Sequence, residues 1–243
     1  MKDYLARSRA ARYSVLFALP LLLLYEGTSL LLNGSPYAGV RNGADVLLKG
    51  LFIGLGGRSG LIAFDVLLLG TGAILVWRDR RRAKEPLQGR TFALMGLESA
   101  VYASLFGLVV GYLTSLVLRT PQLLQIGGGR IDLPTQLVTS LGAGIYEELL
   151  FRVILTGGLL ALLRGGLGMG AGGAGTLAVV LSAVIFSAFH YVGSLGDTFT
   201  VASFTFRAIA GLAFSGLYVT RGLGITAWTH ALYDIGITLI QAA

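Results

Sequence analysis

Apolar runs separated by short polar stretches make up most of this chain. Residues 13–32, 61–77, 92–118, 136–163, 177–191, 201–219 and 223–240 are each dominated by aliphatic, aromatic and small side chains. About 20 apolar residues of α-helix cross the hydrocarbon core of a bilayer, so the pattern predicts about seven transmembrane helices in an all-α, polytopic membrane helical bundle. Residues 44–55 are also apolar, but a run of roughly twelve residues reads as an interfacial or re-entrant helix; counted as a crossing, it would make an eighth span. The first run follows Lys2, Arg7, Arg9 and Arg12 and so begins like a signal peptide. It exceeds the roughly 7–15 residues of a signal core and is read as a retained first span. Between 165 and 175 most residues are glycine, a composition that predicts a flexible loop. The pair Gly107 and Gly111 fits close helix packing.

Composition sharpens this picture. Of 243 residues, 54% are apolar and 13% charged, with a mean hydropathy of +0.76, where a soluble domain carries about 25% charged residues. Seven spans use roughly 140 positions and leave no room for a soluble domain. The chain therefore divides into N-terminal helices with a basic cytoplasmic loop, 1–135, and a helical core, 136–243, within one membrane unit. The absence of cysteine removes disulfides, thiolate metal sites and cysteine nucleophiles. A net charge of +7 does not point to nucleic acid, because the basic residues sit at the ends of apolar runs, where membrane orientation calls for them. With the amino terminus inside, the tail, residues 78–90, Arg164 and Arg221 are cytoplasmic, while Arg41, Lys49, Arg58, Arg119 and Arg130 fall in outer loops. The cluster Arg78, Arg80, Arg81, Arg82 and Lys84 is the strongest anchor and touches anionic lipid headgroups.

Ionisable groups at bilayer depth cost about 2.5–3.5 kcal/mol each at a helix centre, so they mark where chemistry can be. Both histidines of the chain, His190 and His230, lie in apolar runs, as do Glu147, Glu148, Arg152 and Asp234. Glu148 and Arg152 are four apart, acid first, which suits an ion pair on one helix face. Glu147 lies about 100° round the helix, free to point into a cavity and take a proton from water as a general base. His230 and Asp234 are also four apart, so the carboxylate orients the imidazole or both face one site. Phe186 and His190 share a face by the same spacing. A membrane histidine taken alone is more often an interhelical hydrogen-bonding group, and Glu148 with Arg152 also has a purely structural reading. Glu26, Asp65 and Glu98 stand isolated and read as helix packing or loop-facing positions, Glu26 being the best accessory among them.

Glu147-Glu148-Leu149-Leu150-Phe151-Arg152 resembles an EExxxR motif, Phe186-Ser187-Ala188-Phe189-His190 an FxxxH motif, and His230-Ala231-Leu232-Tyr233-Asp234 an HxxxN or HxxxD motif. In this order on three apolar helices they are similar to those of the CPBP-family intramembrane endopeptidases, the CAAX-protease and bacteriocin-processing (Abi) proteins, over roughly 136–240. The resemblance implies a polytopic helical peptidase in which Glu147 and His190 activate a water, Glu148 and Arg152 support them, and His230 with Asp234 lines an oxyanion site. It also brings in metal dependence, which has been described for the family. Asp234 departs from the asparagine of the eukaryotic-type CAAX enzymes, since an amide donates to an oxyanion and an ionised carboxylate does not. Either Asp234 is protonated, or it orients His230 and leaves donation to that ring. The resemblance does not extend to prenylated substrates.

The leading expectation is an intramembrane protease of a bacterial or archaeal inner membrane, hydrolysing a peptide bond in a membrane-associated protein or peptide substrate, with the lipid bilayer as its medium and no nucleic-acid partner. No cofactor is favoured, because neither of the two histidines lies in an HExxH arrangement; the alternative is zinc held by Glu147, His190 and His230. A proton-coupled transporter would also bury Glu, His and Arg, but would more often carry an inverted repeat. A non-catalytic membrane chaperone or immunity protein is the third reading. The alternation of spans puts Glu147 near mid-depth and His190 near the outer end of its helix, so the site is expected to open outward.

Overall fold

A computed structural model describes residues 2–33, 39–83, 85–119, 132–193 and 196–243; Lys84 of the basic cluster and Arg130 of the outer-loop set lie outside the described residues. These residues form the helices α1 (Lys2–Arg9), α2 (Ala11–Asn33), α3 (Gly43–Arg82), α4 (Gly89–Leu118), α5 (Leu133–Gly166), α6 (Ala171–Phe189), α7 (Val201–Arg221) and α8 (Leu223–Ala242), with no strand among them. The helices α2 to α7 are six long, apolar elements able to cross a membrane. The protein is an integral membrane helical bundle. The last expected span, α8, has 20 residues, about 30 Å of helix. It is not among those six, and it carries Thr226, Thr229 and His230 buried inside the bundle.

Capping starts several of these helices. The Asn42 side chain accepts the Ala44 N–H at 2.9 Å ahead of α3, and Thr200 accepts the Ser203 N–H at 3.0 Å ahead of α7. Asp132 caps α5 by accepting the Thr135 N–H at 3.3 Å and its hydroxyl at 2.7 Å. Those donors hold the Asp132 carboxyl below its ordinary range. The middle of α5 is π-helical over Ala143–Glu147 and Leu149–Leu155, a widening often found at functional sites.

Contacts set the helix directions. Ser14 and Phe17 of α2 meet Gly224 and Trp228 of α8, and Ser99 and Phe106 of α4 meet Ile225 and Tyr233, so α2, α4 and α8 run parallel. The helix α7 runs against them, pairing Arg221 with Glu98 and stacking Phe214 on Phe106. Phe151 and Leu163 of α5 meet Ser182 and Ala174 of α6 in antiparallel order, and the later part of α3 returns along α2 with Asp79 beside Arg12. Direction therefore alternates from α2 to α8. One end of the bundle, the basic end, carries Arg12, Arg80, Arg81 and Arg221; the other is the far end.

Two segments bear on the expected connections. Residues 44–55 are the first part of α3, which breaks at Gly56 and Gly57, the latter at φ 57. There the helix folds back so that the ring of Phe52 lies 5.3 Å from that of Phe64. The segment sits beside the far half of α2 and leaves the alternation intact. The glycine-rich stretch is mostly helical, since α6 begins at Ala171 and the turn before it uses Gly168 at φ 65. Small residues let α6 approach α5 closely, with Ala174 and Ala178 packed on Leu163.

Candidate active site

All six motif residues converge on one cavity or its walls. The cavity measures 340 Å³ and is lined by Glu147 from α5, His190 just after α6, Arg207 from α7, and His230 and Asp234 from α8. Gln136 and Thr139 at the start of α5 and Gln241 at the end of α8 line its mouth, which therefore opens at the far end of the bundle.

Glu147 is 7% exposed. Its Oε1 accepts a hydrogen bond from Asn42 Nδ2 at 2.8 Å. Its Oε2 has no hydrogen-bond partner among the described residues and lies 4.0 Å from the Nε2 atoms of both His190 and His230. A 4.0 Å separation is too long for a direct bond and leaves room for a bridging water. The expectation that Glu147 is left free holds for this one oxygen; the other is tied by a residue 105 positions away in sequence.

The two imidazoles are oriented differently. His190 Nδ1 lies 2.8 Å from the Phe186 carbonyl oxygen, four residues back, so the ring donates there and turns Nε2 toward Glu147. His230 Nδ1 lies 2.7 Å from Glu148 Oε1, and its ring stacks on Phe214 with centroids 4.3 Å apart. The residue that orients His230 is thus Glu148; Asp234 Oδ2 instead lies 3.5 Å from the other nitrogen, on the cavity side. Glu148 Oε2 is also 3.2 Å from Arg152 Nε, as the four-residue spacing implied, though out of hydrogen-bond alignment. The Arg152 guanidinium is buried over the rings of Phe186 and Phe214, at 4.4 and 5.4 Å. Glu148 links a buried cation to a cavity histidine.

Three features escape a reading of the sequence. Arg207 forms an ion pair with Asp197 and donates to Ser203 Oγ at 2.6 Å at the cavity rim; its signal is an arginine inside an apolar run. Asn42 is announced only as a helix cap. Arg41 and Lys49, expected as outer-loop charges, are buried with Glu26 and Asp45 in an ion-pair cluster beside Asn42. Their spacing carried a signal, since Arg41, Asp45 and Lys49 recur every four residues. Of the isolated acids, Glu98 packs against Arg221 and Tyr4 as expected, whereas Glu26 belongs to the Arg41 cluster.

For zinc, three nitrogen and oxygen ligands would sit about 2.0–2.2 Å from one point, with neighbouring ligands about 3.3 Å apart. The 4.0 Å spacings from Glu147 exceed that, and no group of three such side chains among the described residues is placed to hold a metal ion. The donor set as arranged does not fit zinc.

Comparison with curated proteins and with solved structures gives no match. Residues 130–236 match the Rce1-like family model, described as type II CAAX prenyl endopeptidase Rce1-like. The match takes in all six motif residues and agrees with the CAAX-protease resemblance that the three motifs carry.

Proposed function

We propose that the chain is an intramembrane endopeptidase that hydrolyses a peptide bond of a membrane-associated protein or peptide, with Glu147 and His190 activating the water. The observation that carries this reading is the unpartnered Glu147 Oε2, 4.0 Å from two imidazole nitrogens inside a polar cavity. A water there donates one proton to Glu147 Oε2 and the other to the His190 Nε2 lone pair, leaving its own lone pair for the scissile carbonyl carbon. As the new C–O bond forms, Glu147 takes a proton. With both nitrogens protonated, His230 donates Nδ1–H to Glu148 and presents Nε2–H to the developing oxyanion. When the C–N bond breaks, Glu147 returns its proton to the leaving amine. Arg152 holds Glu148 and thereby the His230 ring. No step uses a metal.

The test is cleavage of candidate C-terminally membrane-anchored substrates in one membrane preparation, with wild type beside Glu147→Ala and a chelated wild-type sample. Product from untreated and chelated wild type alone is expected. Equal product from Glu147→Ala overturns the reading, and activity lost to chelation and restored by zinc replaces it with the three-ligand alternative. With the basic end cytoplasmic, the cavity opens outward. On intact cells a membrane-impermeant thiol reagent then labels Tyr191→Cys and spares Thr220→Cys; the reverse pattern contradicts this orientation.

A further inference from the structure

A second, larger cavity lies on the other side of α5. It is a groove of 1060 Å³ between α2, α3 and the π-helical part of α5, lined by apolar side chains such as Leu19, Phe64 and Leu149, with Trp77, Arg80 and Arg81 at its basic end. It shares no lining residue with the Glu147 cavity, because Ile145 and Leu149 face the groove where Glu147 faces the site.

We infer that this groove is a binding site for an anionic phospholipid of the leaflet at the basic end, with the headgroup at Arg80 and Arg81 and an acyl chain laid along α3 toward Phe64. Charge is the first argument. Among the described residues no carboxylate pairs with Arg80 or Arg81; the neighbouring Asp79 is taken by Arg12. Arg81 lies over the Trp77 ring at 4.1 Å, which fixes a guanidinium at the rim beside an exposed indole. Tryptophan and arginine together are the side chains expected at headgroup level. A phosphate there meets two uncompensated guanidinium groups, and Arg favours phosphate through paired N–H donors.

Length is the second argument. From Arg80 to Phe64, α3 rises about 24 Å, more than the roughly 15 Å half-thickness of the hydrocarbon core. A chain anchored at the arginines therefore lies in the groove over its full length. The walls offer it almost no polar atom, Thr71 apart. A peptide backbone would leave its N–H and C=O groups unpaired there, so the occupant is a hydrocarbon chain with an anionic head.

Native mass spectrometry of the purified full chain, titrated with phosphatidylglycerol and with phosphatidylcholine of the same acyl chains, tests this. Wild type is expected to bind phosphatidylglycerol about tenfold more tightly. Arg80→Gln with Arg81→Gln should abolish that preference, Arg78→Gln with Arg82→Gln, which changes two arginines outside the groove, should keep it, and Ala73→Trp, which fills the groove, should weaken both lipids. Equal affinity for the two lipids in wild type overturns the inference. So does an equal loss in both double variants, which would assign the preference to diffuse surface charge, or undiminished binding in Ala73→Trp.

Discussion

Two clusters of buried charge sit side by side in the far half of the bundle, and they differ in how completely they are paired. In the Arg41 cluster every carboxylate oxygen has a cation or hydroxyl at 2.9 Å or closer, although Lys49 meets Asp45 Oδ1 out of hydrogen-bond alignment. Glu26 Oε1 has Lys49 at 2.6 Å and the Tyr146 hydroxyl at 2.5 Å, and its Oε2 has Arg41 at 2.8 Å. Asp45 Oδ1 has Lys49 at 2.9 Å, and its Oδ2 has Arg41 at 2.5 Å and the Tyr25 hydroxyl at 2.7 Å. In the Glu147 cluster one carboxylate oxygen is left with nothing closer than two imidazoles at 4.0 Å. A buried polar atom without a partner costs free energy. The paired cluster is what structural charge in a membrane looks like, and the incomplete one has room for a reactant. Asn42 joins them, since its backbone N–H donates to the Tyr25 hydroxyl at 3.2 Å and its side chain to Glu147.

The largest expected effect comes from breaking the paired cluster. Asp45→Ala leaves Arg41 and Lys49 to share the single carboxylate of Glu26 and should cost about 3–5 kcal/mol or prevent folding, read as thermal unfolding and yield. Normal stability with lost cleavage would instead assign the cluster to the reaction.

Glu148→Ala comes next, because it strands one cation, Arg152, and also frees the His230 ring. Stability should fall by about 3 kcal/mol and cleavage with it. Unchanged stability beside a clean cleavage defect would mean that the roles of Glu147 and Glu148 are exchanged.

Asn42→Ala has the smallest effect. It removes a helix cap, about 1 kcal/mol, and should lower kcat about tenfold at nearly constant KM by loosening Glu147. Asn42→Ser should recover the stability, since it still caps α3, without recovering kcat, because it lacks the amide donor to Glu147. Recovery of both would leave Asn42 a cap and nothing more.

Much of the site was legible because its spacings are local. Glu148 with Arg152, Phe186 with His190 and His230 with Asp234 are each four residues apart, so helix geometry alone places each pair together. What was not legible depends on helices meeting. The Glu148 to His230 bond joins residues 82 apart, and the Asn42 to Glu147 bond residues 105 apart. Arg41 and Lys49 were misplaced because a basic residue in a short polar stretch reads as a topology signal, and the partner Glu26 lies on another helix. Six of the seven expected spans were legible from apolar runs alone. The glycines of 165–175 misled because glycine's cost in a water-exposed helix is outweighed where small residues allow close packing in a membrane. The π-helical stretch of α5 left no sign in the apolar pattern.

The central claim is that one oxygen of Glu147 is reserved for water. Glu147→Gln keeps the shape of the side chain and removes the base, so cleavage rate and thermal unfolding measured on the same purified preparation test that claim most directly. The account predicts a loss of cleavage on the order of 100-fold or more with an unchanged unfolding temperature. Wild-type cleavage by folded Glu147→Gln would contradict it.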